Sequence, residues 1–149
     1  MQEYKYTKCD EAGRSMIEII GVLAIMGLVT SGAMVLVRSG MASQKRSRTF
    51  DEVMAIVENM RGLYPDGFEE MPTDEAEGTK LIDGLYLNTE TPFGSGTSYS
   101  VTGHGSRTEF EVRINGLDDD DCMVLATQSW PNSLYASCGD GTVYLSFGM

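Results

Sequence analysis

Residues that carry chemistry are scarce in this 149-residue chain. It has a single histidine, His104, set between Gly103 and Gly105. No Cys/His metal spacing occurs, and no glycine-rich phosphate loop follows a strand-like run. Its serine-rich stretches have no base to activate them. No catalytic site, cofactor or metal is therefore expected, and His104 reads as a loop residue. Proline is absent between Met1 and Tyr64, so nothing there forces a helix to stop. Charge is absent over the nineteen residues from Ile19 to Val37. That run is long enough to cross the ~30 Å hydrocarbon core as a helix. Basic side chains are few after residue 49, four against eighteen acidic ones. So acidic a region reads as a solvated surface, and direct nucleic-acid binding through phosphate neutralisation is not expected.

What the chain does have is concentrated at its start. Residues 14–49 hold Arg14, Arg38, Lys45, Arg46 and Arg48 against one acidic residue, Glu18. Glu18 stands at the edge of the apolar run, where a carboxylate in lipid costs about 3 kcal/mol. A cleaved secretory signal would use the small residues Thr30–Ala33, but the apolar run continues through Val37 and is too long for it. A plain single-pass anchor explains the length and leaves Glu18 unexplained. Basic flanks on both sides, Lys5, Lys8 and Arg14 against Arg38 to Arg48, do not fix the orientation. Three cysteines leave one thiol over. Were Cys9 removed by processing, Cys122 and Cys138 would be the one possible pair, and a bridge between them would imply an oxidising compartment.

A short polar leader ending in Gly13, then Arg14, then Glu18 as the fifth residue from that junction, inside an apolar helix, resembles the N-terminal signature of type IV prepilins and of the related pseudopilins. The resemblance covers about residues 1–60. It implies a leader 1–13 removed by a prepilin peptidase after Gly13. It also implies N-methylation at Arg14, an assembly role for Glu18, and a homo-oligomeric helical filament with the apolar helices in its core. Partners would be the peptidase, the inner-membrane assembly machinery and, before assembly, the lipid bilayer. The precursor would sit in the inner membrane with its head in the periplasm, and the assembled subunit in a cell-surface pilus. Arg14 departs from the family, whose first mature residue is usually apolar.

After the membrane and filament-core segment, 14–37, the pattern becomes amphipathic over 38–64. Phe50, Val53, Met54, Val57, Met60 and Tyr64 recur at helical spacing. The spacing predicts one helix from about Ser15 to Leu63, about 75 Å long at ~1.5 Å per residue. Gly32 and Gly40 are its expected points of bending. A globular head over 65–149 follows. Residues 66–80 read as an exposed loop, Leu81–Leu87 as a short strand or turn, and Thr91–Thr97 as a turn-rich link. Strands are expected at Thr97–Thr102, Arg107–Asn115 and Thr142–Phe147. In the second of these, Phe110, Val112 and Ile114 alternate with Glu109, Glu111, Arg113 and Asn115. The fold class is α+β, a pilin-like ladle whose long helix lays its second half on a small antiparallel sheet.

Asp118–Asp121 reads as the start of a short helix with Cys122, Leu125, Ala126 and Ser129 on one face. The alternative, a calcium site, lacks a spaced ligand loop. A Cys122–Cys138 bridge would enclose fifteen residues and contribute about 3 kcal/mol. A C-terminal disulfide of this kind resembles the type IVb pilins, whereas major pseudopilins more often use a calcium loop. The expected function is thus a structural subunit of a type IV pilus. The alternatives are a type II secretion pseudopilin and a single-pass membrane protein with a periplasmic binding head.

Overall fold

A computed structural model describes the backbone of residues 11–149 and the side chains of residues 16–149. The expected leader 1–13 lies outside these residues except for positions 11–13, which open the first helix. Cys9 and the Arg14 side chain also lie outside them. Helix α1 runs Glu11–Leu63, beginning four residues before the position expected from sequence. With no proline in this stretch every backbone N–H can donate, and helical hydrogen bonding continues through Gly32 and Gly40, the expected bending points.

The chain divides into two compact units, Met1–Ser43 and Gln44–Met149. The described part of the first is α1 alone. The second, the head, contains the rest of α1, α2 (Glu75–Gly84), β1 (Ser98–Gly103), β2 (Glu109–Asn115), α3 (Asp119–Thr127), β3 (Ser133–Gly139) and β4 (Thr142–Gly148). The strands form one antiparallel sheet in the order β1-β2-β4-β3. This is the pilin-like α+β layout of a long helix followed by a small sheet.

One core holds the head together. Val53, Ile56, Val57 and Met60 of α1 are buried with Tyr99, Val101, Phe110, Val112, Ile114, Val143, Leu145 and Phe147 of the sheet. The α1 set follows the i, i+3, i+4, i+7 spacing of one helix face, and the strand set alternates, so both periodicities meet at one surface. Each such side chain contributes about 1.5–3 kcal/mol on burial. Phe68 packs on Phe110 at 4.6 Å between ring centroids, and Phe110 on Phe147 at 5.9 Å. Ile56, absent from the expected stripe, is buried beside Val57.

Two parts of the head differ from the sequence expectation. The presumed loop and short strand of residues 66–87 contain α2. Its interior glycine, Gly78, lies so close to β1 that a Cβ there would stand 1.8 Å from the Val101 carbonyl oxygen. Thr79 Oγ1 reaches the Tyr99 carbonyl at 3.2 Å. The helix thus covers the free edge of β1, where unpaired backbone groups would otherwise invite another strand. The second difference is β3, which was not expected. Its burial pattern is irregular, and it is held by pairing with β4. Cys138 therefore lies in a strand, β3, that precedes the expected Thr142–Phe147 strand.

Candidate assembly surfaces

Glu18 lies in α1 with Met16, Ile17, Ile19, Ile20, Val22 and Leu23 around it, all exposed. Among the described residues it has no salt bridge within 4.0 Å. The apolar run continues exposed through Val37. This helix is long and apolar enough to cross a membrane by length and composition. Among the described residues of its unit no other element packs on this face, and soluble monomers rarely leave a face of this size open. Gly13 and Arg14 fall within the first turn of α1 as described by its backbone.

In the head, Cys122 and Cys138 form a disulfide with their Cα atoms 5.7 Å apart. It joins α3 to β3. Asp118 caps α3, its carboxylate accepting from the Asp121 N–H at 2.7 Å, as the acidic run suggested. Cys122 and Leu125 face the core, Ala126 is half-buried and Ser129 is exposed. Trp130 follows; its indole N–H donates to the Leu125 carbonyl at 2.9 Å and its ring stacks on Phe50 at 5.4 Å. Arg46 of α1 pairs with Asp121 at 3.5 Å. The bridge thus closes a segment that also rests on α1.

The sheet face opposite the core is polar and mostly covered. Register aligns Thr102, Glu111, Ser146 and Tyr135 in one row across all four strands. Glu111, placed by its alternation on the face opposite the core, is only 3% exposed. Its alternation was correct, but larger neighbours close over it. Arg113 and the Tyr135 hydroxyl donate to its carboxylate, the latter at 2.9 Å. His104 Nε2 lies 3.5 Å away, so the lone histidine sits over a carboxylate. Arg113 also pairs with Glu75 of α2 and stacks over Tyr144. Burial alone would lower the Arg113 pKa, but Glu111 and Glu75 outweigh it and the guanidinium is raised. Burial, then the Glu111 carboxylate, push the Tyr135 phenol up. Sequence alone could not signal this network, because it depends on which strands are neighbours. Among the described residues no group of three His, Cys, Asp or Glu side chains is placed to hold a metal ion.

A helix with an exposed apolar half and a disulfide-closed head on a small sheet defines a class of assembly subunits. Comparison with known proteins narrows the class. The major structural subunit of bundle-forming pilus from Escherichia coli O127:H6 is 27% identical over 124 residues, covering 78% of this chain and 64% of the relative. The protein of the same description from Escherichia coli O111:H- matches equally. Toxin coregulated pilin from Vibrio cholerae is 26% identical over 137 residues, covering 80% of this chain and 58% of the relative. The chain therefore spans about three-fifths of the length of these relatives. No family profile and no solved structure matches it with significance. The chain is thus similar to two kinds of pilus subunit, at 26–27% identity over about four-fifths of its length.

Proposed function

We propose that this chain is a structural, non-enzymatic subunit of a type IV pilus. It is made as an inner-membrane precursor with its head in the periplasm, cut after Gly13 and polymerised through its N-terminal helix. The observation that carries this reading is the exposed apolar half of α1 with Glu18 at its start, which has no ion pair among the described residues. In a bilayer that half is covered by lipid. In a filament it is covered by other copies of itself, and Gly21, Gly27 and Gly32 let helix backbones approach closely. Glu18 would meet the new α-amine of a neighbouring Arg14. Each charge offsets the other's desolvation, and a misdocked helix leaves one of them buried and unpaired. Glu18 would then act as a check on register more than as a source of affinity. Arg14 adds a guanidinium beside that amine, which gives Glu18 a second cation to meet. The prepilin peptidase and the inner-membrane assembly machinery are the implied partners.

Intact-mass analysis of protein from cells tests the processing. A chain beginning at Arg14, with or without a methyl group, is expected; a chain beginning at Met1 would sink the reading. Glu18→Ala should still insert and be cut after Gly13, yet yield few fibres. Fibres at wild-type yield from that variant would overturn the role given to Glu18.

A further inference from the structure

Tyr86 has no explanation in the head's own fold. Helix α2 ends in a Schellman motif, with the Tyr86 N–H donating to the Asp83 carbonyl at 2.9 Å and the Leu87 N–H to the Ile82 carbonyl at 3.3 Å. That motif holds Tyr86 in the left-handed region, φ 57°, which glycine or asparagine adopts at little cost. Gly84 lies two positions too early to fill it. The other non-glycine residues with positive φ among the described residues are Asn132 and Asp140, types that tolerate it. A tyrosine there is strained. The fold recovers none of that strain through packing, because the side chain is 99% exposed.

Tyr86 lines an open groove of about 310 Å³ together with Asp51, Glu52, Ala55 and Asn88. Glu52 is engaged, accepting from the Tyr99 hydroxyl at 2.8 Å and from Asn88 at 2.9 Å. Asp51 is exposed and has no ion pair among the described residues. An aromatic face beside a free carboxylate attracts a cation twice, through the ring quadrupole and through charge, and a guanidinium suits both. Free cations are rare on this head. Arg46, Arg107 and Arg113 pair with carboxylates. Arg61 donates to the Gly148 carbonyl, and Lys45 lies over Phe93. Exposed Arg48 and Lys80 remain; Lys80 lies within α2, six residues before Tyr86. Arg48 precedes Asp51 by one turn, and helical side chains lean toward the helix N-terminus, away from that groove.

We propose that the Tyr86–Asp51 groove of one copy receives Arg48 of a second copy of this chain. The inference rests on the reading of the chain as a polymerising subunit. Because Arg48 and Asp51 stand one turn apart on α1, a two-fold pair would close the contact; the form a filament needs is the head-to-tail one, in which each groove takes Arg48 from one copy and each Arg48 enters the groove of another. It also places opposite charges together between heads that are otherwise strongly acidic and mutually repulsive.

The full-length chain in detergent and in cells provides the test. Tyr86→Gly should raise the melting temperature by a few degrees, because the strain is relieved. The same variant should lower filament yield about tenfold, as removal of an aromatic anchor does. A benzophenone amino acid in place of Tyr86 should cross-link to the Arg48-containing segment of an epitope-tagged second copy. Asp51→Arg should abolish that adduct, and Asp51→Arg with Arg48→Asp should restore it. Wild-type filament yield from Tyr86→Gly overturns the contact and leaves the subunit reading standing. So do adducts confined to other segments while the wild type assembles. The Arg48 adduct in cells that make no filament supports the contact and sinks the filament reading; neither filament nor adduct sinks both.

Discussion

The two halves of α1 are both rich in apolar residues, yet they meet opposite fates within the chain. Val53, Ile56, Val57 and Met60 are buried, while Ile19, Leu23, Met26 and Val35 are exposed. Hydrophobicity therefore does not decide burial here; the presence of a complementary surface in the same chain does. The second half has a sheet whose inner face alternates to match it. The first half is apolar all round, as a helix is when its partner is a lipid or other helices. A helix of this kind folds half of itself and leaves the other half to be completed by another molecule.

Paired truncations on the two halves test that contrast most severely. Phe110→Ala should destabilise the head by about 3–5 kcal/mol, through lost transfer energy and the cavity left between Phe68 and Phe147. Leu23→Ala, which removes an exposed side chain of the first unit, should leave the head's denaturant midpoint in detergent unchanged. Denaturant titration of both variants in the same detergent checks the pair. Equal losses would mean that the first half stabilises the head directly, and the comparison would fail.

Sequence periodicity disclosed the parts of the fold that obey one rule at a time. The α1 stripe, the β2 alternation and the acidic cap of α3 each combine a period or a capping residue with matching polarity. What it hid depends on distant neighbours. Helix α2 carries two glycines, a threonine and three acidic residues, a composition that reads as loop; its place is set by the close approach of Gly78 to Val101, where tertiary packing overrides propensity. Strand β3 has no clean alternation and is fixed by the register of β4. The burial of Glu111 was hidden because alternation reports the face of a strand and not what closes over it. Tyr86 was invisible because its oddity is a backbone angle. Gly13, Arg14 and Glu18, proposed for processing and assembly, stand out as a signature because their spacing lies within one local segment.

The disulfide offers a second, smaller test confined to the head. Cys122→Ser with Cys138→Ser should cost about 3 kcal/mol, the loop-closure entropy returned to the unfolded chain. Because α3 also leans on α1 through Arg46–Asp121 and Phe50–Trp130, the segment should stay docked near neutral pH and loosen first on heating. Hydrogen exchange over residues 116–139 would show this as protection lost locally, before the β2–β4 pairing opens. Simultaneous loss across the whole sheet would show instead that the bridge holds the entire head.

The smallest effect is expected in alkali, at the contact between α1 and the sheet within the head. Burial, and then the Glu52 carboxylate, raise the Tyr99 phenol well above its ordinary range, although the nearby Thr49 hydroxyl works the other way. The folded head therefore keeps this proton after the unfolded chain has released it. A raised folded-state pKa gives stability that is complete below the unfolded value, about 10 for tyrosine, and is lost as pH climbs beyond it. Tyr135, also raised, adds to the same slope from the outer sheet face. Tyr99→Phe should cost about 1.5–3 kcal/mol near neutral pH, the value of a hydrogen bond to a charged group. That deficit should narrow between roughly pH 10 and 11, as the wild type gives up the proton linkage that the variant lacks. Urea midpoints of both proteins at pH 7, 9, 10 and 11 measure it. Parallel curves across that range would mean that Tyr99 ionises as readily in the folded head as in the unfolded chain, and that the helix–sheet contact is open to water at its Glu52 end.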